Sequence, residues 1–256
     1  MSTLRVAGAA LSRDVFVTGR EVGSFLAQTL IQPFFLLFVF GKVLGELGYV
    51  RPGYESVLLP GLVALNGFLI ALQNTALPLV VDFSYTKEIE DRLLAPLPVP
   101  ALALEKIVFG ALRGLVAALL MIPVGLVVLG GIDWDLAGLP AAALVLVVGS
   151  VAGASVGMTL GTSVPPRRIN ILFATVIVPV TFTGAIQFPW LELAPLRWFQ
   201  VVCALNPLTY VSEGMRSVLV PSVPHLSWSL CVALLVLSIA VFASLGVRGF
   251  LRRALD

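Results

Sequence analysis

The sequence predicts an all-α membrane protein with six membrane-spanning helices. Of its 256 residues, 59% are hydrophobic and only 12% are charged, whereas ordinary soluble domains carry about 25% charged residues. Apolar runs of about 20 residues, the length at which a helix crosses a membrane, recur along the chain. Proline and glycine interrupt these runs, and both are commoner in membrane helices than in soluble ones. This composition excludes a disordered chain and argues against a soluble globular protein.

Six apolar segments are long enough to span, and we expect them to form a single transmembrane domain over residues 1–256. Before the first span, residues 1–21 alternate arginines with apolar side chains, which favours a helix lying in the membrane interface over a loose tail. No signal peptide is expected, because this stretch lacks a compact apolar core with a cleavage site. The predicted spans are Val22–Leu44, Val57–Val81, Ile107–Leu129, Leu139–Thr162, Ile169–Phe188 and Trp228–Val247.

The distribution of basic residues predicts the orientation in the membrane. With both termini inside, twelve Lys and Arg residues flank the spans on the cytosolic side and four on the outer side. Cytosolic loops carry such an excess of basic residues. We therefore expect a multi-pass protein of the plasma or inner membrane with both termini in the cytosol. Residues 82–106 then form a cytosolic loop.

The start of this loop predicts a short amphipathic helix, Tyr85–Ala95. Tyr85, Ile89 and Leu93 are spaced i, i+4, i+8 and share one face. The prolines from Pro96 onward end the helix. Isolated helices shorter than roughly 12 residues are marginal in water. We therefore expect this helix to dock against another protein.

Residues 184–226 are too apolar for an aqueous loop, and five prolines interrupt them. Irregular backbone at membrane depth is tolerated only where protein buries it or where it lines a wet cavity. The pattern predicts two short re-entrant or interfacial helices on the outer side, roughly Leu193–Ala204 and Pro207–Val220.

The second of these helices has a defined start. Asn206 is a favourable N-cap, and Pro207 occupies the first helical position, where a missing N–H costs nothing. Glu213 and Arg216 are three residues apart and can pair on one face of the helix.

Two further residue sets stand out within the spans, and each has two interpretations. A row of glycines at i+4 spacing indicates close helix packing, either within one subunit or at a dimer interface; the row is Gly149, Gly153, Gly157 and Gly161. Amide side chains within the first two spans either line a substrate pathway or form interhelical hydrogen bonds; they are Gln28, Gln32, Asn66, Gln73 and Asn74.

The residues offer no source of energy and no catalytic centre. The nucleotide-binding loop G-x-x-x-x-G-K-[ST] and the zinc motif H-E-x-x-H do not occur. The pattern G-x-S-x-G occurs once, at residues 153–157, inside the predicted fourth span and not at a strand-to-helix turn, where a nucleophile elbow lies. Asp133 and Asp135 lie in a short outer loop, and His225 is the single histidine. Cys203 and Cys231 have no metal-ligand spacing, although one disulfide is possible. No acidic residue lies mid-span, where ion-coupled pumps usually need one.

The chain resembles the ABC-2 type transporter permeases, the membrane subunits of ABC exporters. The resemblance covers the order of features along the whole chain and two stretches in particular. KEIEDRLLAPLPVPALALEKI, from Lys87, resembles the family's first cytosolic loop, although Pro100 stands where a basic residue or serine is usual. NPLTYVSEGMR resembles the family motif N-P-[LM]-x-Y-x-x-x-x-x-R, and its notable residues are Asn206, Pro207, Tyr210, Glu213 and Arg216.

The resemblance implies a subunit that depends on a motor in another protein. Two permease subunits, identical or related, would form the pathway at their interface, surrounded by membrane lipids, and a pair of cytosolic ATPase subunits would bind below. ATP and Mg would be held by those ATPases, so we expect no cofactor on this chain and no nucleic-acid partner. The implied ATPase contacts are Tyr85, Lys87, Glu88, Ile89, Glu90, Asp91, Arg92 and Leu93.

Two other classes of protein remain as alternatives. A motor-independent channel or secondary transporter would need a midplane charge or an internal repeat, and the sequence has no convincing repeat. A membrane-embedded lipid-modifying enzyme would need a cluster of acidic or histidine residues near an interface. The transported substrate is left open, since relatives of this kind export drugs, lipids and glycans.

Overall fold

The computed structural model describes residues 22–84, 99–164 and 169–255, and every regular element in them is helical. The predicted interfacial helix over residues 1–21 and the predicted amphipathic docking helix Tyr85–Ala95 lie outside the described residues. In chain order, the helices are α1 (Val22–Leu36), α2 (Tyr54–Ser84), α3 (Val99–Leu129), α4 (Leu139–Ser163), α5 (Ile169–Thr183), α6 (Arg197–Ala204), α7 (Pro207–Leu219) and α8 (Trp228–Leu255).

Five helices among the described residues are long and apolar enough to cross a membrane, which confirms the all-α membrane class. The first is α1 with its continuation, a π-helical segment Leu37–Val43 and a last turn Leu44–Glu46. The others are α2, α3, α4 and α8. The expectation of six spanning helices is therefore not confirmed, because five helices of the described residues are long enough and α5 is shorter.

Helix α5 corrects the predicted fifth span. Residues Ile169–Phe188 are mostly apolar and carry no charge, but the helix ends at Thr183. Its 15 residues rise about 22 Å at 1.5 Å per residue, which is short of a hydrocarbon core about 30 Å thick. Gly184 is a poor helix former, and Ala185 adopts a positive φ of 49°, so the chain leaves the helix there. Hydropathy alone could not show this break.

The loop between the second and third helices, expected at residues 82–106, is shorter than predicted. Helix α2 continues to Ser84, and α3 begins at Val99, two turns before the predicted Ile107. Pro100 does not prevent this early start, because the first N–H groups of a helix have no partner within the helix. The segment that joins α2 to α3 is therefore 85–98.

The outer region after α5 consists of short helices. A 3₁₀ helix, Trp190–Leu196, precedes α6 where one continuous helix over Leu193–Ala204 was expected. Helix α7 ends one residue before the predicted Val220. Helix α7 returns the chain to the bundle, since its Val211 lies against Gly149 of α4, whereas α6 contacts α5, α7 and the 3₁₀ helix.

Helix α2 lies at the centre of the bundle and packs against α3, α4 and α7. In its most apolar 18-residue window, 83% of residues are buried, compared with 17% in the corresponding windows of α1 and α8. Leu62, Phe68 and Leu72 of α2 form the middle of the core with Val145 of α4 and Met215 of α7. The outer helices α1 and α8 present apolar side chains outward, as a lipid environment allows.

The glycine row of α4 packs inside this subunit. Gly153, Gly157 and Gly161 lie against the backbone of α2 at Phe68, Leu72 and Ala76, while Gly149 lies against Val211 of α7. The α2 residues also recur every four positions, so two i+4 rows meet along parallel helices. Small residues let the two backbones approach closely, and the row is occupied within one chain rather than exposed for a dimer.

Candidate functional site: a broken fifth segment and an amide groove

Helix α7 carries a polar face that is completely buried. Thr209, Ser212, Glu213 and Arg216 follow the i, i+3, i+4, i+7 spacing of one helix face, and each has 0% of its surface exposed. A buried charge requires a partner and full hydrogen bonding. The surroundings of this face therefore determine what α7 does.

Arg216 joins three parts of the chain. Its guanidinium forms an ion pair with Glu213 on the same helix. It also donates to the carbonyls of Ala185 and Ile186, the latter at 2.8 Å. Its Nε donates to the carbonyl of Val57 in the first turn of α2 at 3.2 Å. The planar, five-donor guanidinium suits such a convergent arrangement.

Glu213 completes the network from the other side. Its Oε1 accepts from the backbone N–H of Trp190, and its Oε2 accepts from the N–H of Leu226, both at 3.0 Å. The carboxylate thus connects the start of the outer 3₁₀ helix to the residues that lead into α8. Hydrogen bonds to a charged acceptor are about twice as strong as neutral ones, so these two loop ends are firmly held.

The hydroxyl groups of α7 bind the turn after α5. Ser212 Oγ donates to the carbonyl of Gly184 at 2.7 Å, and Thr209 Oγ1 lies 2.7 Å from the carbonyl of Cys203 and 3.1 Å from that of Thr183. Unsatisfied backbone groups are costly away from water. The polar face of α7 therefore replaces the hydrogen bonds that the fifth segment loses where its helix stops.

The residues of the NPLTYVSEGMR stretch have structural roles in this arrangement. Asn206 Oδ1 accepts from the N–H of Leu208 at 3.0 Å, which caps α7, and its Nδ2 donates to the carbonyl of Val180 at 2.8 Å. Pro207 occupies the first position of α7. The Tyr210 hydroxyl donates to the carbonyl of Ala204 at the end of α6. The motif therefore joins α5, α6 and α7.

The predicted pathway amides divide into two groups. Four of the five line one cavity between α1 and α2, together with Thr29, and we call this set the amide groove: Gln28, Thr29, Gln32, Asn66 and Gln73. Asn74 is separate, because its Nδ2 donates to the carbonyl of Ile70 on its own helix at 2.9 Å. Asn66 is buried, and its Nδ2 donates to Ala117 of α3 at 2.8 Å.

The predicted ATPase contacts, Tyr85 to Leu93, lie outside the described residues, but the helix ends that carry them are described. Asp82 of α2 and Lys106 of α3 form an ion pair of 3.0 Å, and each side chain is 11% exposed. Beside it, Phe83 packs edge-to-face on Phe250 of α8 at 5.2 Å. These contacts join the end of α2 to α3 and to α8.

The described residues do not form a metal centre, since no three His, Cys, Asp or Glu among them are grouped to hold an ion. Cys203 and Cys231 are both buried free thiols, so the disulfide that the sequence left open does not form. The arrangement offers hydrogen bonding, charge pairing and close packing, which suit a membrane scaffold and pathway.

The sequence did not single out several residues of these sites. Thr209 and Ser212 could have been found, because with Glu213 and Arg216 they complete a polar helix face. The partnership of Asp82 with Lys106 could not be read from residues 24 positions apart. Thr29 is a common residue in membrane helices and carries no signal alone.

This arrangement defines a multi-pass helical membrane protein whose interrupted fifth segment is held by a buried ionic helix face. The profile of the family described as ABC-2 type transporter matches residues 7–220, most of the chain. The chain therefore belongs to the ABC-2 type transporter family, and it is a membrane transport permease.

Two named relatives agree with this assignment. The chain is 25% identical over 210 residues to "Inner membrane transport permease YadH" of Escherichia coli K12, with 78% of this chain and 80% of the relative covered. It is also 25% identical over 217 residues to "Putative transport permease ycf38" of Porphyra purpurea, with 81% and 72% covered. No solved structure matches the chain significantly.

Proposed function

We propose that this chain is the membrane-spanning subunit of an ATP-driven ABC exporter that works as a dimer with separate cytosolic ATPase subunits. The observation that carries the proposal is the family match over residues 7–220, which includes the segment between α2 and α3. ATP and Mg are held by the ATPases in this proposal. The permease supplies the pathway and the docking helix.

Six crossings complete the topology in this proposal. Helix α5 makes most of the fifth crossing, and the non-helical residues 184–189 finish it against α7. The α6–α7 pair then acts as a re-entrant hairpin on the outer side. Both termini and residues 85–98 lie in the cytosol, as the distribution of Lys and Arg indicates.

Coupling follows from the contacts at the inner helix ends. ATP-driven closure of the ATPase pair moves the docking helix Tyr85–Ala95. Because Asp82 and Lys106 join α2 to α3 at its base, both helices move as one body. Helix α2 carries that motion to α4 along the glycine row and to the outer network through Val57 and Arg216.

The test is co-purification of a cytosolic ATPase with the tagged chain from its native membrane. Wild-type protein is expected to retain the ATPase in stoichiometric amount. Ile89→Asp and Leu93→Asp place a charge on the apolar face of the docking helix and are expected to abolish retention while the protein still inserts. Rim charges matter less, since exposed ion pairs contribute about 0–1 kcal/mol.

Tyr49→Asp is the matched control, because Tyr49 is 78% exposed in the loop between α1 and α2 on the opposite side. This variant is expected to retain the ATPase like the wild type. If all three variants retain it equally, the docking helix is wrongly assigned. If the folded wild type retains no ATPase, the motor-dependent proposal itself is wrong.

A further inference from the structure

The amide groove is an unusual feature for a surface of α1 that faces outward. Gln28 and Gln32, one turn apart, are exposed there, while Asn66 and Gln73 contribute from α2. The described residues that line this cavity include no charged side chain. Amide groups both donate and accept hydrogen bonds. The groove therefore matches neutral polar groups of either type and offers nothing to offset an ionic charge.

Thr29 provides an independent sign that the groove is incomplete without a ligand. Its side chain is fully buried, and its Oγ1 has no hydrogen-bond partner among the described residues. Threonine in a membrane helix ordinarily donates to the carbonyl four residues earlier, as Thr75 does to Ala71 at 2.9 Å. A buried hydroxyl without a partner loses the free energy of a hydrogen bond, and Thr29 lies in the wall of the groove.

The size of the groove restricts what can enter. Its cavity volume is about 40 Å³, enough for roughly two or three water-sized groups. A hydroxyl or ester group fits, but a sugar ring does not. Alongside it, Ile31 and Phe35 of α1 are 57% and 59% exposed, which gives an apolar track next to the polar opening. A polar slot beside an apolar track is complementary to an amphiphile with a small head.

We propose that the amide groove is a lateral binding site for the uncharged, hydroxyl- or carbonyl-bearing head of a membrane-dissolved amphiphile. Diacylglycerol is a probe with that chemistry. The head hydrogen-bonds to Thr29 and Gln32, and the acyl chain lies along Ile31 and Phe35 in the membrane. Binding itself does not require the proposed function; only the assignment of the ligand as exported cargo rests on it.

The experiment is photolabelling of the purified chain in phosphatidylcholine nanodiscs with diazirine-bearing diacylglycerol. Labelled peptides are identified by mass spectrometry, and phosphatidic acid with the same diazirine acyl chains is the charged comparison. Diacylglycerol is expected to label peptides from α1 and α2 that line the groove several-fold more than phosphatidic acid does. Equal labelling by both lipids would overturn the proposal.

Variants of the groove test whether the labelling depends on its hydrogen-bonding side chains. Thr29→Val and Gln32→Leu each remove one hydrogen-bonding group and are expected to lower groove labelling about fivefold, the effect of one lost hydrogen bond. Asn74→Leu is the matched control, since it removes an amide from α2 that bonds only within its own helix, and labelling should not change. Labelling that is equal in wild type, Thr29→Val and Gln32→Leu contradicts the site.

A second copy of the chain is the competing occupant. In a background with Cys203→Ala and Cys231→Ala, a Gln32→Cys variant is treated with a membrane-soluble thiol oxidant. The proposal expects no disulfide between copies at this position. Efficient crosslinking through Cys at position 32 would show that another subunit covers the groove and would overturn the proposal.

The final comparison separates this inference from the proposed function. If the isolated chain is labelled in the groove but retains no ATPase from the native membrane, the binding site is supported and the exporter proposal is wrong. With the ATPase complex reconstituted, loss of groove labelling on addition of ATP supports the site and makes the ligand cargo. Labelling that ATP does not change supports the site and makes the ligand a resident lipid.

Discussion

At the scale of single residues, Arg216 shows how a charge becomes stable inside an apolar bundle. It has five N–H donors, and it forms four hydrogen bonds, one to a carboxylate and three to backbone carbonyls from different parts of the chain. A lysine could supply only three donors from one point. The residue therefore holds the broken segment after α5 as well as neutralising Glu213.

Arg216→Met is expected to destabilise the protein by about 3–5 kcal/mol, the cost of leaving one member of a buried ion pair without its partner. Three carbonyls lose their donor as well. Thermal unfolding in detergent should show a large fall in the midpoint. Arg197→Met is the control, because Arg197 is exposed on the neighbouring α6, and its midpoint should change little. Equal midpoints for the two variants would contradict the role of Arg216.

Gly153→Ala tests the packing of α4 on α2. A Cβ at this position would meet the backbone carbonyl of Phe68, which cannot rotate away as a side chain could. The expected cost is about 1–3 kcal/mol from overpacking, despite the better helix propensity of alanine. Gly131→Ala is the control, since nothing lies within 4 Å of a Cβ there. A Gly153→Ala variant as stable as Gly131→Ala would show that the helices can separate freely.

At the scale of helices, Asp82 near the end of α2 and Lys106 near the start of α3 form an ion pair across the segment that joins these helices. Asp82→Asn or Lys106→Met should lower the unfolding midpoint and the amount of ATPase that co-purifies. Breaking a pair this buried costs about 3 kcal/mol. The charge-swapped double variant, Asp82→Lys with Lys106→Asp, should recover part of both losses.

Lys42→Met is the comparison for this pair. Lys42 and Glu46 are 3.6 Å apart on the outer end of the first helix, and their side chains are 47% and 71% exposed. Exposed pairs contribute about 0–1 kcal/mol, so this change should have little effect. If the double variant Asp82→Lys with Lys106→Asp is no more stable than the single variants and retains no more ATPase, the ion pair between residues 82 and 106 is not the cause of the losses.

At the scale of the whole molecule, the topology makes a prediction about access from each side. Single cysteines at Glu88 and Asp133 are probed with a membrane-impermeant maleimide, the first in the 85–98 segment and the second exposed between α3 and α4. Position 133 should react on intact cells, and position 88 only after permeabilisation. The buried thiols of Cys203 and Cys231 should stay unlabelled. The reverse labelling pattern would show that the predicted membrane orientation is wrong.

Much of the fold follows from hydropathy and local chemistry. Long apolar runs marked α1, α2, α3, α4 and α8, because a helix must satisfy its own backbone in lipid. Asn206 and Pro207 marked the start of α7, because capping depends on adjacent residues. The predicted end of α5 was wrong by five residues, since the run up to Phe188 is mostly apolar and the side chains of α7 that bind the backbone of Gly184 and Ala185 are distant in sequence.

The sequence by itself determined the membrane class, the helices and the two stretches that resemble the family, since each depends on residues close in the chain. Tertiary structure alone decided which polar residues work together. It joined Arg216 to Val57 and Ala185, brought four of the five amides into one groove with Thr29, and paired Asp82 with Lys106. These partners are distant in sequence, and helix packing, which depends on the shapes of all side chains at once, brings them into contact.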